Sequence, residues 1–164
     1  MTAVIAILTF VAAIALPRFA ALNRGQASRD FQSALVDLAA DARIIAIESG
    51  RRVQVTYQDD RLALVVSSVD PETFETQEER AIALIPEATL SSFTSEGLYT
   101  TGADWMIEFH PDGTGNDAGI EVDEGGRIYS VRYSGENGSS TKSETQLEEA
   151  ANEEWEAGEI ERRI

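Results

Sequence analysis

The first sixteen residues form an uncharged apolar run whose only polar side chains are Thr2 and Thr9. As a helix this run would be about 24 Å long, slightly shorter than the ~30 Å hydrocarbon core of a bilayer. A buried helix of a globular domain usually has a polar face, and a secretory signal begins with a basic stretch. The run has neither feature. We therefore predict a membrane anchor that lacks its first few residues, and we disfavour a buried core helix or a signal peptide.

Residues 1–17 constitute this predicted anchor, which would lie in a lipid bilayer or pack against neighbouring apolar helices. The side chains expected to make those contacts are Ile5, Ile7, Leu8, Phe10, Val11, Ile14, Leu16 and Pro17. Arg18, Arg24 and Arg29 follow the run. The positive-inside rule compares both flanks of a span, so these arginines alone leave the orientation open.

Residues 18–50 are predicted to continue the helix as an amphipathic segment. Apolar side chains recur at spacings of four and three residues, which places them on one helix face. The residues predicted to form the core between helix and sheet are Phe31, Leu35, Leu38, Ala42 and Ile45. Gly50 follows the last of these, where a left-handed C-terminal cap would lie. The first fifty residues are thus predicted to form one long helix with a kink near Pro17, which lacks a backbone donor.

Residues 51–133 are predicted to form a small antiparallel β domain, because the apolar pattern changes to an alternation of period two. The predicted strands are 53–57, 61–66, 81–85, 105–109, 120–122 and 128–133. Residues 67–80 are predicted to form a surface loop, since they are polar and acidic. A domain of this size buries a marginal core. We therefore predict an α+β fold in which the amphipathic half of the helix packs on the sheet.

Residues 134–164 are predicted to form a flexible Gly/Ser linker and an acidic tail. The whole chain has 29 acidic and 13 basic residues and a net charge of −16. Phosphate binding needs clustered cations, so we expect no nucleic-acid partner. The chain has no cysteine and one histidine, which excludes disulfides, thiolate chemistry and sites built from several histidines.

Few residues have a pattern that favours chemistry. His110 is the only side chain suited to proton transfer near neutral pH, and we interpret it as a surface turn residue. Asp112, Asn116 and Asp117 lie in a glycine-rich loop and form a weak candidate Ca²⁺ site. The loop lacks a bidentate glutamate at the spacing of an EF-hand, so a plain Asx turn is favoured. We predict a protein that is not an enzyme and uses no cofactor.

Three blocks of the sequence resemble a known family. The segment MTAVIAILTFVAAIALPRF resembles the hydrophobic helix of type IV pilins and pseudopilins just after their membrane-embedded glutamate. Residues 38–43 and 48–55 resemble the later helix and first strand of the H-type minor pseudopilins of type II secretion. Residues 107–115 and 119–122 resemble the F-x-P-D-G strand and glycine loop near the C-terminus of that family. FimT-like minor pilins share this pattern.

This resemblance implies a structural subunit of a type II secretion pseudopilus, with one span in the inner membrane and its C-terminal domain in the periplasm. Its implied partners are other pilin-like subunits, the inner-membrane assembly platform, the lipid bilayer and secreted substrate. The alternatives are a FimT-like minor pilin of a type IV pilus, a membrane-tethered binding module, and a membrane-anchored hydrolase using His110 or a pair of carboxylates.

The chain departs from the family pattern at both ends. Family members have a basic leader, a glycine cleavage site, a phenylalanine and a glutamate before the apolar run, whereas this sequence starts at Met1 within it. We therefore expect about five further residues before Met1, which would lengthen the helix by ~7 Å. The acidic tail is not a feature of the family pattern.

Overall fold

The structure is a computed structural model that describes the backbone of residues 2–148 and the side chains of residues 24–148. One helix, α1 (Thr2–Ser49), precedes all the strands. It ends where the sequence predicts, because Gly50 adopts a φ of 65°. Glycine reaches this left-handed conformation without the penalty that a Cβ imposes. The predicted C-terminal cap is confirmed.

Nine strands follow in the described part of the chain. Their bounds are β1 (Arg52–Gln58), β2 (Ala63–Val69), β3 (Thr76–Ala83), β4 (Ala88–Ser95), β5 (Leu98–Thr100), β6 (Met106–Phe109), β7 (Ala118–Glu124), β8 (Arg127–Tyr133) and β9 (Ser140–Ser143). All the strand pairs are antiparallel. The fold is therefore α+β, with one helix and antiparallel sheets, as predicted.

The strands form two sheets rather than the single sheet of the prediction. The first sheet has the order β3-β2-β1-β6, and the second has the order β5-β4-β7-β8-β9. The helix α1 contacts strands of both sheets. Residues 88–100 are not among the predicted strands, and they form the hairpin of β4 and β5 in the second sheet.

The core lies between α1 and the two sheets. Phe31, Leu35, Leu38 and Ala42 are buried, and Ile45 packs partly buried against the same cluster. Two aromatic side chains add polar anchors to this apolar contact. The hydroxyl of Tyr133 donates to the carbonyl of Leu35 at 3.1 Å, and the indole nitrogen of Trp105 donates to that of Thr94 at 3.1 Å.

Two predictions about irregular segments were wrong. The predicted loop 67–80 contains the end of β2 and the start of β3, and the predicted linker contains β9. Both β3 and β9 are edge strands, so their side chains are largely exposed and polar. Such strands lack the apolar alternation that marks a half-buried strand. The predicted acidic tail beyond residue 148 lies outside the described residues.

Candidate interaction surface

The solvent-facing side of α1 carries a row of apolar side chains, which we name the outer stripe. It consists of Ala40, Ile44 and Ile47, all of them exposed. The two isoleucines are 50% and 45% exposed. The spacings of four and three residues place the three side chains on one helix face. Exposed apolar residues that adjoin one another are typical of an interaction surface.

The outer stripe is not among the predicted core residues. The apolar period through Leu38, Ala42 and Ile45 predicts only the buried side of α1. The signal that was available is a second apolar series of the same period, offset by two residues from the first. A helix that needs only one buried side has no local reason to carry a second such series.

The residues predicted for the membrane anchor are not among those whose side chains the structure describes. The backbone there is helical as part of α1. Nothing in the structure describes the contacts of Ile5, Ile7, Leu8, Phe10, Val11, Ile14, Leu16 or Pro17. Among the residues that are described, no helix is long and apolar enough to cross a membrane. The anchor stays a prediction.

The loop between β6 and β7 packs against the helix beside the outer stripe. Arg43 donates from Nε to the carbonyl oxygen of Gly113 at 2.8 Å. Gly113 has a φ of 82°, and a Cβ there would lie 2.9 Å from the terminal carbon of Ile47. Any other residue would thus be strained at this position, and its Cβ would displace the end of the Ile47 side chain. The glycine loop that carries the family resemblance is part of the helix-facing surface.

A second loop, residues 134–139, closes over the first. A Cβ on Gly135 would lie 2.3 Å from the carbonyl of Gly115, so the two backbones are in direct contact. The amide of Gly135 donates to Oδ1 of Asp117 at 2.8 Å. Arg43 also lies against Gly138, where a Cβ would approach its side chain to 2.9 Å. One arginine of the helix therefore holds both loops.

The candidate Ca²⁺ ligands each bond to a different part of these loops. Asp112 Oδ1 accepts from the amide of Thr114 at 2.9 Å and from its hydroxyl at 2.7 Å, which forms an Asx turn. These bonds hold the pKa of Asp112 below its ordinary value. Asn116 Oδ1 accepts from the amide of Glu108 at 2.6 Å, and Asp117 bonds to Gly135. Within the described residues, no group of three or more histidine, aspartate or glutamate side chains is placed to hold a metal ion.

His110 lies at the start of the same loop, with about half of its side chain exposed. Its Nε2 is 3.7 Å from Oε1 of Glu108. Its backbone amide donates to the carbonyl of Thr114 at 2.7 Å, and its own carbonyl accepts from Gly113 at 2.8 Å. These bonds give the backbone of His110 a role in shaping the loop.

A comparison with solved structures identifies the architecture. The minor pseudopilin EpsH from the type 2 secretion system of Vibrio cholerae superposes with a TM-score of 0.54. The match covers 76% of this chain and 96% of that one, at 16% sequence identity. The chain shares its fold with a minor pseudopilin.

A crystal structure of EpsH also matches, with a TM-score of 0.49, 15% identity, and coverage of 76% of this chain and 92% of that chain. No protein-family model matches the chain, and no curated protein matches its sequence. The likeness to EpsH therefore concerns the fold, and it agrees with the resemblance noted in three sequence blocks. The structure places two of those blocks, the helix end and the glycine loop, in contact through Arg43.

Proposed function

We propose that the protein is a minor pseudopilin, a structural subunit of the filament that a type II secretion system assembles. The observation that carries this proposal is the shared fold with EpsH over nearly the whole of that chain. The role is structural rather than enzymatic. It needs no cofactor, since a filament subunit works by packing against its neighbours.

The outer stripe supports a packing role for α1. The buried side of the helix is occupied by the protein's own sheets, while Ile44 and Ile47 remain about half exposed. In our proposal these side chains contact helices of other pilin-like subunits. The apolar residues 1–16 would lie in the inner membrane before assembly and among neighbouring helices afterwards. Lipid tails and apolar helices are similar environments, so the exchange is feasible.

In our proposal the helix crosses the inner membrane once, with the β domain in the periplasm. The assembly platform in that membrane would contact the helix, and secreted substrate would contact the β domain. Acidic residues outnumber basic ones in the β domain of residues 51–133, and this excess of negative charge favours solubility and disfavours binding to nucleic acid.

Cysteine cross-linking tests the packing role, because the chain has no native cysteine. The variant Ile47→Cys of the full chain would be produced in its native cells and treated with a reagent that joins a cysteine thiol to a lysine amine. We expect covalent adducts with other pilin-like subunits. The matched control is Gln77→Cys, at an exposed position on the edge strand β3. Equal adduct yields from both variants would contradict a specific role for the outer stripe.

A secretion assay distinguishes the main alternatives. In a strain that depends on this chain, Ile44→Asp should reduce export of secreted proteins while the amount of folded subunit stays unchanged. Loss of surface pili with normal secretion would indicate a minor pilin of a type IV pilus instead. Normal secretion together with normal piliation would leave a membrane-tethered binding module as the better description.

A further inference from the structure

The outer face of the second sheet contains a small notch. Tyr99, Thr94, Gly119 and Arg132 are directly opposite one another on β5, β4, β7 and β8. Residues in such a cross-strand row share one face of a sheet. The row has large side chains at both ends and a glycine and a threonine between them. We name these four residues, together with Glu121 two positions along β7, the outer notch.

The notch is filled by a single residue of the chain's own C-terminal segment. Leu147 is 3% exposed, whereas Thr145, Gln146 and Glu148 on either side of it are exposed. A Cβ on Gly119 would lie 2.8 Å from a terminal carbon of Leu147 and 2.6 Å from the hydroxyl of Thr94. The absence of a side chain at position 119 is therefore what makes room for the leucine.

The same notch also binds the backbone of the segment. Glu121 is 9% exposed, and its Oε2 accepts from the amide of Leu147 at 2.9 Å. Its Oε1 accepts from the hydroxyl of Ser91 at 2.6 Å. The hydroxyl of Tyr99 donates to the carbonyl of Leu147 at 2.6 Å, and Arg132 donates to that of Glu148 at 2.9 Å. Side chain, amide and carbonyl of one residue are all recognised, as in peptide-binding sites.

We propose that the outer notch is a docking site for an extended peptide segment with a central leucine, and that the chain's own residues 145–148 fill it as a releasable latch. One buried side chain and a few hydrogen bonds hold the segment, and Tyr99 and Arg132 are themselves exposed. A cleft of about 310 Å³ continues beside Glu148 and Arg132, so the site has room beyond the leucine. The latch fastens the chain just before its acidic C-terminal sequence. The proposal goes beyond filament assembly and does not depend on it.

A peptide-binding experiment on the full chain tests this proposal. The probe is a fluorescent peptide with the sequence of residues 143–150, SETQLEEA, and binding is read by anisotropy. In the variant Leu147→Ala the latch loses its buried side chain, so the notch is open more often. We expect this variant to bind the peptide about ten-fold more tightly than the unaltered chain does. The apparent affinity is proportional to the fraction of molecules in which the notch is open. Leu98→Ala is the matched control, because Leu98 is 66% exposed near the same notch.

An altered peptide and a second variant complete the test. A peptide with alanine in place of its leucine should bind none of the proteins. If Leu147→Ala unfolds the chain, Tyr99→Phe removes one hydrogen bond from the latch at a half-exposed position, and it should increase hydrogen exchange at the amide of Leu147. Peptide binding that is equal in the unaltered chain and in Leu147→Ala would overturn the proposal. The absence of binding to a folded Leu147→Ala variant would do so too.

Discussion

The two sides of α1 are built from the same kinds of residue and have opposite surroundings. On the inner side, Leu35 and Leu38 are fully buried against the sheets. On the outer side, Ile44 and Ile47 are about half exposed. The contrast shows that apolar character alone does not place a residue in the core of this protein. The inner side stabilises the fold, and in our proposal the outer side stabilises an assembly.

Truncating one residue on each side of α1 should change the free energy of unfolding by very different amounts. Leu35→Ala should lower the free energy of unfolding by about 2–5 kcal/mol, because it leaves a cavity in the core. Ile44→Ala, its matched control on the outer side, should change the same quantity by less than about 0.5 kcal/mol. Denaturant unfolding of the full chain measures both. A comparable loss in the two variants would mean that the outer stripe is part of the fold after all.

The second prediction concerns the loops that border the helix. Gly135→Ala would force its methyl group into the backbone of Gly115, and overpacking of this kind costs about 1–3 kcal/mol. Gly25→Ala is a control that should raise the free energy of unfolding, because nothing lies within 4 Å of a Cβ at that position in α1. Alanine is favoured over glycine in a helix by about 1 kcal/mol. Unfolding midpoints that move in the same direction for both variants would contradict the close contact of the two loops.

The sequence predicted the parts of the molecule that depend on local pattern. The helix period predicts Leu35 and Leu38 in the core, and the apolar alternation predicts strands at 120–122 and 128–133, which pair as β7 and β8. It missed the first part of β3 and all of β9, because an edge strand is defined by its partner rather than by its own side chains. It also missed the burial of Leu147, which depends on a glycine in a different strand. The outer stripe of the candidate site is not predicted, because the apolar period of the buried side already explains why the helix packs on the sheets.

The third prediction tests the hydrogen bond that ties the inner side of α1 to the second sheet. Tyr133→Phe removes the donor to the carbonyl of Leu35 and should cost about 1 kcal/mol. Burial also raises the pKa of Tyr133 above its ordinary value of 10.0. Above about pH 10 the unfolded chain loses this proton while the folded chain keeps it, so stability falls as pH rises. That fall should be smaller in Tyr133→Phe, and an unchanged pH dependence would show that Tyr133 does not contribute to it.

The smallest effect is expected at Asp112, an exposed residue in the loop beside the outer stripe. The hydroxyl and the amide of Thr114 both donate to Asp112 and lower its pKa. Thr114→Val removes the hydroxyl bond and keeps the amide bond, so the pKa of Asp112 should rise part of the way toward its ordinary value. A carboxylate NMR titration of the full chain measures this shift. The pKa of Asp112 is lower in the folded chain than in the unfolded chain. The hydrogen bonds to Asp112 therefore stabilise the fold above the ordinary pKa of aspartate, and this stabilisation is lost as pH falls through the folded-state pKa. If the pKa does not change in Thr114→Val, the Asx turn is held by the backbone alone, and the loop that flanks Ile47 owes its shape to Arg43 and the glycines.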